Sequence, residues 1–367
     1  MRTPLCDLFG LEHPIVGFSP SEHVAAAVSR AGGLGVLGAV RFNDPAELDK
    51  TLDWMDAHTH GRPYGIDVVM PARVPAEGTP EKLDRLIPEP HKTFVEDTLL
   101  KLGVPPLPGD ARAADGVLGW LHSIARQHVE VALAHPARLI ANALGPPPPD
   151  VIASAHERGM LVAALAGTAG HARRQVASGV DIVVAQGYEA GGHTGEIGSM
   201  VLIPEVVDAV NGNATVLAAG GIGSGRQIAA ALALGAAGVW MGSAWLATQE
   251  YATTTHAPAV TDAVLKATSS DTVRSRIYSG KPARLLKNRW TDAWEQPGAP
   301  EPLPMPLQNL LVSEAHQRLF RSGQPDLVPM PAGQIVGRIT EVRPVADVMA
   351  DLVNEADQTL EKLRKLR

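Results

Sequence analysis

DIVVAQGYEAGGHTGEIGS, residues 181–199, decides how the rest of the chain is read. The apolar run 182–185 has the character of a strand buried on both faces of a parallel sheet, and it stops at Gln186-Gly187. A loop follows that carries one acid, two adjacent glycines and one histidine: Glu189, Gly191, Gly192 and His193. In α/β barrels the chemistry sits just past the C-terminal ends of such strands. Glycine lacks a Cβ and lets the backbone approach a ligand closely. A histidine beside it can exchange protons near neutral pH. The same residues would also suit a plain glycine-rich turn with a solvated histidine.

Working outward, seven more apolar runs share the pattern: 14–18, 35–40, 64–70, 138–144, 160–165, 215–221 and 238–243. Helical segments separate them. Residues 21–31 form one, with Ser19 or Ser21 as N-cap and Gly32-Gly33 at its end. The next begins at Asp44-Pro45-Ala46-Glu47, a capping-box pattern with Leu48, Leu52 and Met55 on one face. Others are expected at 150–158, 168–178, 204–210 and 224–234. Several strand-to-strand repeats are 21 or 22 residues long, as in Pro14 to Gly35 and Arg138 to Met160. Eight short βα units favour an α/β fold of the closed (β/α)8 TIM-barrel type over an open sheet. Gly32-Gly33-x-Gly35 is no dinucleotide fingerprint, because it precedes a strand.

The rhythm breaks between 71 and 135, where prolines are frequent and helices are expected at 91–102 and 116–135. This stretch reads as a helical lid inserted in the barrel. After Gln249 the composition changes: a helix at 253–267, a turn at 279–284, a crossing at 296–306 with five prolines, and a turn at 331–334. A last helix carries Val342, Val345, Val348, Met349, Leu352, Val353, Ala356, Leu360 and Leu363 at helical spacing, to pack on the barrel or form a dimer seam. The expected organisation is a barrel over 1–252, with the insertion at about 71–135, and a C-terminal extension over 253–367.

With 367 residues, 45% of them hydrophobic and a mean hydropathy of +0.01, the chain can bury a large core. A net charge of -7 argues against a nucleic-acid partner. Cys6 is the single cysteine, which suits a reducing cytosol. No leader pattern opens the chain and no run of about 18 apolar residues occurs. A cytoplasmic protein acting on a small molecule is therefore expected.

Two further strand ends bear glycine: Gly220-Gly221, and Trp240-Met241-Gly242-Ser243. The loops after strands seven and eight are the usual phosphate cradle of this barrel. Tight packing also favours glycine, but two pairs on the two expected strands make a phosphate-bearing ligand the better reading. No lysine or arginine dominates either turn, so amides would carry the phosphate. The thirteen histidines show no metal-ligand spacing, and no nucleophile elbow is present.

The blocks AQGYEAGGHTG, LIPEVVDAV, AAGGIGSGRQIAAALALGA and GVWMGSAWLATQE resemble the nitronate monooxygenases, formerly called 2-nitropropane dioxygenases. The resemblance runs over roughly 14–249, and SGKPARLLKN and PAGQ carry it further. It implies an FMN-containing barrel with a helical lid, and flavin-dependent enoyl-thioester reductases as relatives. By position, Gln186 and Gly191 would touch FMN, Gly221 and the turn of Trp240, Met241, Gly242 and Ser243 would hold its phosphate beside Gly220, and His193 matches the catalytic histidine. Three positions depart from the pattern. Gly17-Phe18-Ser19-Pro20 replaces Ala-Pro-Met, Asp67 stands where an asparagine usually meets the flavin, and the loop after His193 is shorter. An acid at 67 would be paired with a cation or partly protonated. The resemblance implies oxidation of an alkyl nitronate with O2; the alternatives are an acyl-thioester reductase or dehydrogenase using a nicotinamide donor, and a non-catalytic FMN-binding protein. His193 is expected to titrate near 6.5 as the proton handler, with His91 or His135 of the lid as fallbacks. A homodimer is compatible with this reading.

Overall fold

Eight parallel strands close into a barrel in chain order, with each apolar run expected from the sequence occupying one place. In the computed structural model, which describes residues 1–70, 83–108, 122–251 and 257–366, they are β1 (Ile15–Ser19), β2 (Leu34–Gly38), β3 (Tyr64–Val68), β4 (Leu139–Asn142), β5 (Leu161–Ala166), β6 (Ile182–Gln186), β8 (Thr215–Ala219) and β9 (Gly238–Met241). Pairing of β9 with β1, Val239 opposite Ile15, closes the ring. The two-residue β7 (Gly192–His193) lies outside it, in a three-stranded sheet with β10 (Thr272–Ser275) and β11 (Ala283–Leu286).

The helices are α1 (Pro4–Phe9), α2 (Glu22–Arg30), α3 (Pro45–His58), α4 (Glu89–Lys101), α5 (His122–Ala134), α6 (Pro149–Glu157), α7 (Ala169–Ala177), α8 (Ser199–Val210), α9 (Gly225–Ala233), α10 (Ala257–Lys266), α11 (Arg289–Ala293), α12 (Leu307–Arg321) and α13 (Val345–Arg364). Side-chain alternation along each strand divides the core. Val16, Val36, Ala141, Ala163, Val184, Leu217 and Trp240 fill the barrel, together with Leu5, Cys6 and Phe9 of α1, which plugs the N-terminal end. Ile66 and Val68 of β3 point the other way, under α3 and α5. Gly65 and Asp67 therefore face the interior.

Several expectations need correction. The helix expected at 204–210 begins earlier, at Ser199, with Pro204 inside it. The Glu189 carboxylate, ten residues upstream, accepts the Ser199 N–H at 3.0 Å and so starts the helix from outside its own sequence. The stretch 279–284 is only partly a turn, because Ala283 opens β11. At α3, Asp44 accepts from Ala46 N at 2.9 Å, and no return bond from Glu47 completes a capping box. In α13, Val345, Met349, Leu352 and Ala356 pack toward α9 and α2, whereas Leu363 is exposed, as is Val342, which precedes the helix. The sequence pattern missed α1, α11 and α12. Residues 71–82, 109–121 and 252–256, which include parts of the expected insertion, lie outside the described residues. In the described part, α4 and α12 pack around Val95, Leu99, Val312, Leu319, Trp290 and Trp294.

Candidate active site at the barrel mouth

The C-terminal ends of β3, β6, β8 and β9 bring most of the expected residues to one rim. On β6, the Gln186 side-chain amide donates to the backbone carbonyl of His193, tying the glycine loop to the strand end. His193 then sits in β7, opposite Ala283 of β11. Its Nε2 shares a 2.6 Å hydrogen bond with the hydroxyl of Ser279, which is fully buried. Nδ1 carries no hydrogen bond among the described residues. Burial, and secondarily the Lys281 ammonium, push the imidazole down to about 4, so it is neutral at pH 7. This corrects the value near 6.5 expected of a free side chain.

Glu189, the acid of the same loop, is spent structurally. Its carboxylate accepts from Ser199 N and from Ser199 Oγ at 2.9 Å, and that hydroxyl also reaches Gly220 O at 2.9 Å. Gly191 is a glycine because of the chain itself: a Cβ there would lie 2.7 Å from Ala332 C and Gly333 N. The 331–334 turn thus closes the loop from behind, with Gln334 N donating to Glu189 O at 3.0 Å. Arg284, 2% exposed, grips the same loop, donating to Tyr188 O at 3.0 Å with its guanidinium 4.5 Å over the Tyr188 ring. Ser279 and Arg284 were missed as site residues, although SGKPARLLKN stood out as a block. Nothing in its local pattern says which loop it would meet.

The glycine pair on β8 is left-handed, with φ of +91° at Gly220 and +71° at Gly221. On β9, Trp240 lies in the barrel interior, stacked on Phe18 at 6.2 Å, and Met241 packs outward. Ser243 opens a three-residue 3-10 turn, Ser243–Trp245. Its hydroxyl accepts from Gly333 N at 2.8 Å. Among the described residues, the backbone N–H groups of Gly221, Ile222 and Ser243 find no acceptor. Strands β8 and β9 are neighbours, Ala219 opposite Trp240, so these donors line one rim. Unspent amides on adjacent strand ends are the donor set an anionic group requires.

Asp67 is the other unspent group. It is 6% exposed, its Oδ1 is buried without a partner, and burial alone raises its carboxyl well above the usual range. No cation accompanies it among the described residues. The fallback bases do not share the mouth equally. His135 precedes β4 and so lies at the opposite end of the barrel, bonded to Asp56 at 2.7 Å and Asp49 at 3.1 Å. His91 in α4 meets the carbonyl of Glu301 at 3.0 Å. A concavity of about 460 Å³ lined by Leu8, Asp181 and Thr215 also lies at the N-terminal end, away from these groups.

A closed parallel barrel with unspent donors at its C-terminal rim is the architecture of an enzyme whose site lies at that mouth. The nitronate monooxygenase family model matches residues 2–355, and the chain belongs to that flavin-dependent enzyme family. It is 51% identical to a Mycobacterium tuberculosis protein provisionally named a monooxygenase, over 100% of this chain and 99% of that one. Among solved structures it resembles nitroalkane oxidase from Streptomyces ansochromogenes, with a TM-score of 0.80, 29% identity, and 98% and 99% of the two chains covered. FabK from Thermotoga maritima matches with a TM-score of 0.74 and 28% identity over 100% of both chains. No helix among the described residues is long and apolar enough to cross a membrane.

Proposed function

We propose that the protein binds FMN at the mouth of the barrel and oxidises an alkyl nitronate with O2. The N–H groups of Gly221, Ile222 and Ser243 would receive the phosphate, and Asp67 would face the ring system. FMN, when bound, supplies the electron acceptor. The observation that carries the substrate reading is the charge state beside it. His193 is neutral, and an ammonium, Lys281, acts on it. A nitronate has already lost its proton, so it needs positive charge and hydrogen bonds more than a base. Nδ1 of His193, without a partner among the described residues, is the atom available to it, and Ser279 holds the ring in place.

A second reading is supported by the likeness to FabK: reduction of an enoyl thioester with a nicotinamide donor. One experiment separates them. The purified protein is mixed anaerobically with a nitronate, NADH, NADPH or an acyl-CoA while the flavin absorbance is followed, and O2 uptake is then measured. Bleaching by nitronate with matching O2 consumption is the expected result. Bleaching by NAD(P)H alone, followed by turnover of an enoyl thioester, would replace the first reading by the second.

A further inference from the structure

Asp67 is the unspent side-chain carboxyl of the rim, and an ordinary structural role leaves it unexplained. It stands on β3 between Gly38 of β2 and Ala141 of β4, and both neighbours lack a polar side chain. Its Oδ1 is buried and unpartnered, and no hydrogen bond or ion pair of its carboxyl exists among the described residues. An ionised carboxylate in such a place costs several kcal/mol unless something compensates it. The charges packed around β3 do not. Arg41, on the short turn after β2, is committed to Glu22 at 2.6 Å and to Pro20 O at 2.8 Å. His128 of α5 is buried against the Phe42 carbonyl at 2.8 Å. His23 lies 3.8 Å from the Glu22 carboxylate and against the Trp54 ring. None of them influences Asp67, whose only perturbation is burial.

A carboxyl without a counter-charge has one inexpensive state, the neutral acid. Like a carboxamide, that acid presents a donor beside an acceptor along one edge, its O–H and its C=O. A carboxylate has acceptors only. The ligand edge that matches is one presenting a donor next to an acceptor, as the pyrimidine ring of a flavin does. On the FMN reading above, we propose that Asp67 stays a neutral carboxylic acid and pairs with the flavin pyrimidine edge as donor and acceptor at once, in the manner of an amide side chain. The acidic residue at 67 therefore leaves flavin binding intact.

The test combines infrared spectroscopy with flavin titration. A protonated carboxyl has a carbonyl stretch well separated from carboxylate and amide bands. At neutral pH the flavin-free protein should show this band, and Asp67→Asn should lack it. FMN, followed by quenching of its fluorescence, should bind Asp67→Asn within about threefold of the wild-type affinity. Asp67→Ala, which removes both hydrogen bonds, should bind about tenfold or more weakly. Absence of the band in wild type, or loss of FMN by more than tenfold in Asp67→Asn, would overturn the proposal. If wild type shows the band and takes up no FMN, the cofactor reading fails and the pairing with it, while the neutral acid stands.

Discussion

The two ends of this barrel hold similar polar residues and treat them in opposite ways. At the N-terminal end, the Tyr64 hydroxyl donates a hydrogen bond to Asp56 at 2.6 Å, and His135 bonds to Asp56 and Asp49 with its two ring nitrogens. Burial works against a charge on His135, but the two carboxylates outweigh it and raise its pKa. Ligand atoms of Asp53, Asp56 and His135 even fall within 4.8 Å of one another, a trio that sequence spacing did not reveal. His135 already spends both nitrogens inside the network, so that end is closed. At the C-terminal mouth, Asp67, the N–H groups of Gly221, Ile222 and Ser243, and Nδ1 of His193 have no partners among the described residues. Buried polar groups are normally satisfied. A paired network marks structure, and a convergent set of unspent groups marks the place where something else binds.

The largest effect should come from filling the unspent amides. Gly221→Asp places a carboxylate where the phosphate is expected, at a residue with φ of +71° and with Glu189 Cβ only 3.4 Å from the new Cβ. The variant should purify without flavin. A yellow protein with full flavin content would break the assignment of that rim as the anion cradle.

His193→Asn comes next. It should keep the flavin and lower turnover by about 10²–10⁴-fold, the usual worth of acid–base and hydrogen-bonding help. The loss should be larger for a neutral nitroalkane, which must first be deprotonated, than for the nitronate. Because the imidazole titrates near 4, the wild-type rate with nitronate should show no limb near pH 6.5. A bell with an acid limb at that pH would mean that the loaded site restores the ordinary pKa.

The closed end can be tested by breaking it. Asp56→Ala leaves the buried Tyr64 hydroxyl without its acceptor, which should cost about 1–3 kcal/mol of stability. Flavin content and turnover should stay unchanged, as read from denaturant melts beside flavin spectra. An activity loss exceeding the loss of folded protein would undo the contrast between the two ends.

The smallest effect concerns acid. An unfolded chain takes up a proton on His193 near pH 6.5, whereas the folded one does so only near 4. Folding stability should therefore decline as pH falls from 6.5 toward 4, and the His193→Asn variant should lose less over that window. Parallel melts at a few pH values would show the difference, and identical slopes would remove burial of a neutral imidazole from the account.

The sequence by itself determined the barrel. Each strand is an apolar run of four to six residues bounded by helix signals, and such periodicity is local, so it survives in a one-dimensional reading. It also marked Gln186, His193, Gly221 and Ser243 as strand-end residues, because chemistry in this architecture collects there. Only the tertiary structure decided what surrounds them. Ser279 meets His193 across 86 positions, Gly333 meets Ser243 across 90, and Arg284 meets Tyr188 across 96. The same folding spent Glu189 on a helix end and lowered the proton affinity of His193. It also sent His135 to the far end of the barrel and left Asp67 buried with no counter-charge among the described residues. Burial and partnership are properties of the closed rim, set by segments far apart in the chain, and no local pattern in either segment encodes the other.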